Sequence, residues 1–449
     1  MKFYELNIDS LAGPTHNYGG LAYGNLASIR HCHQLSHPKS AALQGLEKMR
    51  YLVSLGVKQM VWPPHERPHI PTLRKLGFFG KDEVVLEKAA STSPELFFFT
   101  CSSSSMWLAN GATMTPSSDS LDKRVQITPA NLVYHFHRSI ESEMTARLLQ
   151  KAFPNEKLFM HHPMLPKTML FADEGSANQL RFCAEQNGPG VFLFVNGRRG
   201  ISQRQDSPSR YPARQTLEAS QAVARQHRLS SDIVVFAQQN PKAIDEGSFH
   251  NDVISLGYQN VFFYHEHAFL ETARVMEELQ RKMKARTGEE LILIPVAEAK
   301  VSLKDSVASY LFNSQLVTDL NGEMRLIAPL ECQEIEAVRH WLNDLVQDTA
   351  HPIRDVHYLD LRESMQNGGG PRCLRLHTVL TQEELDSIHQ PLLLTEQLYQ
   401  ELIRWVHHHY RETLSLEELA DPQLLQESRT ALDALTHILR LGSIYSFQK

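Results

Sequence analysis

Cysteine is scarce in this chain of 449 residues: there are five, Cys32, Cys101, Cys183, Cys332 and Cys373. The number is odd and no two stand in a C-x-x-C pair, so neither a disulfide framework nor a structural zinc site is expected. Long apolar runs are also missing. The most apolar stretches, residues 95–100, 191–195 and 291–297, fall far short of the roughly 20 residues a membrane helix needs. The N-terminus carries charge at Lys2 and Glu5 and lacks the apolar core of a signal peptide. Basic excess is absent as well: 45 Lys and Arg stand against 51 Asp and Glu, a net charge of −6. This balance excludes nucleic acid as the main partner, because such a binder carries a basic face. An anionic ligand would have to be met by a few placed arginines. The expectation is a soluble protein of a reducing cytoplasm.

The common chemical signatures are missing too. There is no Walker loop, no H-E-x-x-H, and no G-x-G-x-x-G between a strand and a helix. Histidine is abundant, 23 in all, with dense groups at 31/33, 135/137, 161/162 and 407–409. The last trio falls on a predicted helix, where neighbouring side chains diverge. No metal and no cofactor is expected.

What is present is an ordinary globular composition, 42% hydrophobic and 21% charged, long enough to bury a large core. Length alone suggests about three domains. No linker interrupts the chain, and SSSS at 102–105 is too short to be one, so a single domain over 1–449 is expected. Strand-like apolar runs occupy 191–199, 232–239, 252–267 and 290–297. Helical periodicity marks 37–56, 139–153, 214–229, 268–283 and 332–347, and the last seventy residues read as mainly helical, most clearly at 392–414. Groups of short strands separated by single helices suit a repeated unit arranged around an axis, although no literal repeat is visible.

Four segments carry chemistry. Residues 361–373 place three glycines and Pro371 just before Cys373. That is either a turn beside a structural cysteine or a loop presenting a thiol nucleophile. At 247–253, His250 and Asp252 share a face if the segment is extended: an acid/base histidine with a carboxylate to grip a cation, or a polar strand edge. At 171–178 a strand end brings Asp173 and Glu174, of which only one can face a given site; two turn-forming acids are the alternative. Polar loops contribute residues 15–28, Asn110, His137 with Arg138, and Arg214. Their arginines could take carboxylates in bidentate geometry or form surface ion pairs.

Taken together, the segments THNYGGLAYGNLAS, PPHERPHIPTLRKLGF, DEGSAN, SRYPARQT, FAQQNP, FHNDV, YLFNSQL and RESMQNGGGPRCLRL resemble the N-succinylarginine dihydrolases of bacterial arginine catabolism, from the first strand to the last helix. The resemblance implies the pentein fold, an α/β five-bladed propeller with pseudo-fivefold repeats of strands plus helix. It implies hydrolysis of N-succinylarginine to N-succinylornithine, two ammonia and carbon dioxide through a covalent cysteine intermediate. Carried over by position, the nucleophile falls on Cys373 and the acid/base residues on Glu174 and His250. Substrate contacts fall on Gly19, Gly20, Leu21, Ala22, Tyr23, Gly24, Asn25, Leu26, Ala27, Ser28, Asn110, His137, Arg138, Arg214, Asp252 and Asn367. Arg138 and Arg214 suit the two carboxylates of a succinylated substrate, and the family suggests a homodimer with a small-molecule substrate. Two rivals stay open: a deiminase that stops at the ureido product, and an idle propeller that only binds. A papain-like protease is disfavoured, because in that family the cysteine precedes its histidine.

Overall fold

The computed structural model describes residues 2–201 and 207–449. Among these, fifteen strands form five three-stranded sheets. The first is built from β1 (Phe3–Ser10) and β2 (Lys58–Trp62). The second holds β3 (Ala112–Thr115), β4 (Val125–Pro129) and β5 (Phe159–His161). The third holds β6 (Gln179–Cys183), β7 (Gly190–Asn196) and β8 (Val234–Gln238). The fourth holds β9 (Ser255–Tyr258), β10 (Val261–His265) and β11 (Ile292–Val296). The fifth holds β12 (Gln315–Thr318), β13 (Met324–Pro329) and β14 (Ile353–Leu359). The last strand, β15 (Arg375–Thr381), returns to pair with β1 and completes the first sheet.

Every sheet follows one plan. Its middle strand runs antiparallel to one neighbour and parallel to the other. Parallel neighbours need a long crossover, and in each unit a helix supplies it: Pro38–Ser54, Ser142–Ala152, Leu217–Gln226, Thr272–Thr287 and Glu336–Gln347. The rhythm expected from the sequence is therefore present, and the helices fall on the expected segments with instructive shifts. The stretch 214–229 becomes helical only from Leu217, because the Thr216 side chain accepts the Ala219 N–H and caps the start. Arg214 and Gln215 stay outside the helix. The single run 252–267 is a hairpin, β9 and β10, turning at Gln259 with φ of 51°.

The core explains why some strands read as unbroken apolar runs. Along β7, Val191, Leu193 and Val195 enter one hydrophobic cluster while Phe192 and Phe194 enter another, so both faces are covered. The helices Glu396–His409 and Pro422–Ile438 share a cluster with Pro38–Ser54 and the first two sheets. No helix among the described residues is long and apolar enough to cross a membrane.

One buried charge sits inside this packing. Lys48, on the helix Pro38–Ser54, forms an ion pair with Asp9 on β1, both side chains being within 1% of fully buried, and Gln59 Nε2 donates to the other Asp9 oxygen at 2.6 Å. Removing one partner of such a pair strands the other charge in a medium that cannot solvate it. Lys48→Met should therefore lower unfolding free energy by about 3–5 kcal/mol, read as a fall in the urea midpoint.

Candidate active site

A short segment precedes the antiparallel edge strand of each sheet (β3, β6, β9, β12 and β15), and these five segments meet. Asn110 ends the turn Leu108–Asn110 before β3. Glu174 leads into the turn Gly175–Asn178 before β6. His250 leads into Asn251–Val253 before β9. Asn313 ends Leu311–Asn313 before β12, and Cys373 ends a turn closed by its own N–H on Gly370 O before β15. Hydrogen bonds join them in a circuit. Ala109 N donates to Cys373 O at 3.1 Å, and Asn110 Nδ2 to Glu174 O at 2.8 Å. Asn251 N donates to Asn178 Oδ1 at 3.0 Å, Asn313 Nδ2 to Asp252 O at 3.1 Å, and Cys373 N to Asn313 Oδ1 at 3.0 Å. Two glycine positions depend on this closeness. A Cβ on Gly175, already at φ of 68°, would strike the Asn110 backbone, and one on Gly370 would meet Asn313 Oδ1.

The side chains inside the circuit are almost wholly buried. His250 Nε2 meets Glu174 Oε2 at 2.9 Å, and the Cys373 thiol donates to Asp252 Oδ2 at 3.5 Å. Burial alone would raise the Glu174 carboxyl, but the His250 bond and charge, with Arg214 and Arg138 nearby, hold it down at about 2. Burial draws His250 below its ordinary value against the pull of Glu174. With Nε2–H given to the carboxylate, Nδ1 is the free basic nitrogen. Burial, then the Asp252 charge, pushes the Cys373 thiol well up. Among the described residues, Glu174 Oε1, Asp252 Oδ1, His250 Nδ1 and Arg214 Nε are buried without a hydrogen-bond partner. The site thus offers carboxylate oxygens with unused acceptor capacity, a basic nitrogen and a thiol, which together suit a planar cation carrying several N–H donors.

The family model for succinylarginine dihydrolase matches residues 2–448. The chain belongs to this family. N-Succinylarginine dihydrolases of Shewanella loihica and Pseudomonas putida are each 52% identical to it, with both chains covered in full. Among solved structures, the N-terminal domain of ArgZ, an arginine dihydrolase from the ornithine–ammonia cycle in cyanobacteria, is similar with a TM-score of 0.51 at 14% identity, over 83% of this chain and 97% of that one. That likeness is one of fold, a mixed α/β arrangement.

A small pocket is lined by Gly19, Gly20, Leu21, Ala22, Ser28, His137 and Asn367, with Asn17, Trp107 and Ser102–Ser104. Asn25 caps the short helix Leu26–Arg30 by accepting from Ser28 N and donates to Gly368 O at 2.7 Å, tying the loop 19–28 to the glycines before Cys373. Asn367 Nδ2 donates to Asn17 O at 3.0 Å. His137 is held neutral, its value drawn well down by burial and by the nearby His135 and Arg138 charges. Arg138 donates to Asn110 Oδ1 at 2.9 Å and lies 3.5 Å from Glu141, so its charge already has a carboxylate partner. Arg214 donates to Tyr23 O at 3.0 Å and packs over the Phe249 ring; no carboxylate pairs with it among the described residues.

The structure departs from the sequence reading in several places. His250 and Asp252 are not two same-face positions of a strand: the chain turns at Asn251–Val253, and β9 starts only at Ser255. Glu174 does not end a strand but sits between two short turns. From the loop 19–28, Tyr23 is 58% exposed with its ring against Tyr211, and Leu26 and Ala27 pack against hydrophobic clusters; Tyr23 reaches Arg214 through its backbone only. Asn313, Tyr310, Trp107 and Glu141 were missed as site residues. A faint signal for Asn313 exists in LAN before G-A-T, SAN before Q-L-R, HN before D-V-I and LFN before S-Q-L: an asparagine just ahead of four of the five antiparallel edge strands.

Asp173 points the other way from Glu174. Its Oδ1 accepts from Gln215 Nε2 at 3.1 Å and Gly175 N at 3.3 Å, and burial raises its pKa to about 6. The native state thus holds this proton more tightly than the unfolded chain, so wild type loses stability as pH rises from the ordinary carboxylate range through about 6. Asp173→Asn lacks that loss. Its stability relative to wild type should rise by about 3 kcal/mol between roughly pH 4 and pH 7, measured by urea unfolding at both pH values.

Proposed function

We propose that this chain hydrolyses N2-succinyl-L-arginine with two waters to N2-succinyl-L-ornithine, two ammonia and carbon dioxide. Family membership at full length supports the substrate, and a buried thiol on Asp252, in one circuit with a Glu174–His250 pair whose carboxylate also has an unused acceptor, is the observation that carries the chemistry. A guanidinium carbon is a poor electrophile because its charge is spread over three nitrogens. Held in plane by Glu174 and Asp252, it stands open to attack from Sγ. The resting thiol is protonated, and the arriving cation offsets the Asp252 charge and favours the thiolate.

As Sγ bonds to the central carbon, the thiol proton passes to His250 Nδ1, which delivers it to the departing nitrogen so that the C–N bond breaks and ammonia leaves, giving a covalent thiouronium. His250 Nδ1 then takes a proton from water, the hydroxide adds, and the C–S bond breaks to return the thiolate and a ureido group. A second cycle on the ureido carbon releases the second ammonia and then carbon dioxide, leaving the ornithine amine. We assign the two carboxylates of the succinylated substrate to Arg214, which has no carboxylate partner among the described residues, and to Arg138, which would share its charge between Glu141 and the substrate. Gly19–Ser28, Asn110, His137 and Asn367 line or hold the remainder.

The same proposal reads 1–449 as one catalytic domain, mainly helical from about 380. It reads the five sheets as blades of a pentein α/β propeller around the circuit of turns, and the working protein as a cytoplasmic homodimer. The repeated plan of the sheets and the return of β15 to β1 support the ring. The dimer and the location rest on the resemblance.

The test is ammonia released per N-succinylarginine consumed, with the organic product identified by mass. Two per substrate with succinylornithine is expected; one, with succinylcitrulline, would make the chain a deiminase. Cys373→Ser should abolish turnover, and His250→Ala should lower kcat by about 10²–10⁴-fold.

A further inference from the structure

The segment Tyr310–Leu316 has no part in the chemistry above, although it supplies one of the five turns that meet at the thiol. We propose that Asn313 is a positioning residue for the Cys373 thiolate, its amide donating to Sγ while its oxygen fixes the backbone that carries Sγ. This rests on the reading of Cys373 as nucleophile.

Asn313 is fully buried and uses both ends of its amide. Nδ2 lies 3.1 Å from Cys373 Sγ and 3.1 Å from Asp252 O. Oδ1 accepts from Cys373 N at 3.0 Å and Arg372 N at 3.2 Å. One side chain therefore sets the nucleophile, its peptide and the segment bearing the Asp252 carboxylate. Its place in the chain is also equivalent to that of other proposed members of the site: Asn110, Asn313 and Cys373 each stand two residues before the antiparallel edge strand of their sheet. Just ahead, Tyr310 is held at φ of 53°, a conformation uncommon for a bulky residue. Its hydroxyl lies within hydrogen-bond reach of Gly368 O at 3.0 Å and Asn25 Oδ1 at 3.2 Å, which clamps this turn to the nucleophile loop and to the loop 19–28.

The residue type follows from the substrate's charge. The charged or titratable groups acting on the thiol are Asp252, Tyr310, Arg372 and Lys48. Another cation at position 313 would stabilise a thiolate but repel the incoming guanidinium, and a carboxylate would raise the thiol further. A neutral amide donates to sulfur without either cost, and it does not titrate.

The test is the rate of Cys373 alkylation by iodoacetamide across pH, followed on the Cys373 peptide by mass, beside kcat and KM. Below the thiol's pKa, Asn313→Ala should alkylate about tenfold more slowly, the equivalent of about one pH unit. Asn313→Asp keeps an acceptor oxygen for Cys373 N but sets a charge against sulfur, and should be slower still. In both, kcat should fall while KM holds. Wild-type alkylation profiles would overturn the proposal. If Asn313→Ala does not fold, judged by circular dichroism, Asn313→Asp decides alone. Turnover surviving in Cys373→Ser would instead sink the nucleophile reading, an outcome the alkylation comparison does not depend on.

Discussion

Five turns, each ahead of the antiparallel edge strand of its sheet, are hydrogen-bonded to one another, and the arrangement of the site depends on that closure. A turn of three or four residues has little stability of its own, and exposed polar groups at its end would be solvated in any of several arrangements. Here the asparagine at the end of one turn satisfies the backbone of the next. Each turn is thus an anchor for its neighbour, and polar side chains from widely separated parts of the chain are held within reach of one carbon atom. The sheets behind the turns set their spacing. Where two turns approach most closely, only glycine fits, at Gly175 and Gly370.

Inside that circuit the charges are arranged by burial. Glu174 stays ionised because His250 and two arginines face it, and His250 stays neutral because burial outweighs the carboxylate. The thiol is protonated at rest, since burial and Asp252 both oppose the thiolate. A thiol kept protonated in this way is a poor nucleophile and is less open to oxidation, and on the proposed mechanism it becomes reactive only when a cation arrives. The positively charged substrate completes the electrostatics of its own attack. That same demand accounts for a neutral donor, and not a cation, beside sulfur.

The crossover helices and central strands were legible because each buries one stripe or both faces, and burial writes a period into the residues: Pro38–Ser54 and β7 are the clearest cases. The short turns were not, because three residues carry no period. The segment at His250 reads as strand for that reason, and Glu174 as a strand's end. Helix starts slipped where a cap, Thr216, decided the boundary against the surrounding pattern.

The sequence by itself determined that this is a mildly acidic α/β protein with single helices between groups of strands, and its long motifs determined the family, the resemblance from which the proposal for Cys373, His250 and Glu174 comes. Only the tertiary structure decided that Asp252 faces the thiol, that Arg138 is already paired while Arg214 has no carboxylate partner among the described residues, and that Asn313 touches sulfur. The reason is physical. Periodicity and motifs are written in neighbouring residues, whereas these contacts join residues at least 60 positions apart in the cases of Asp252 and Asn313, and they exist only once five sheets bring their turns together.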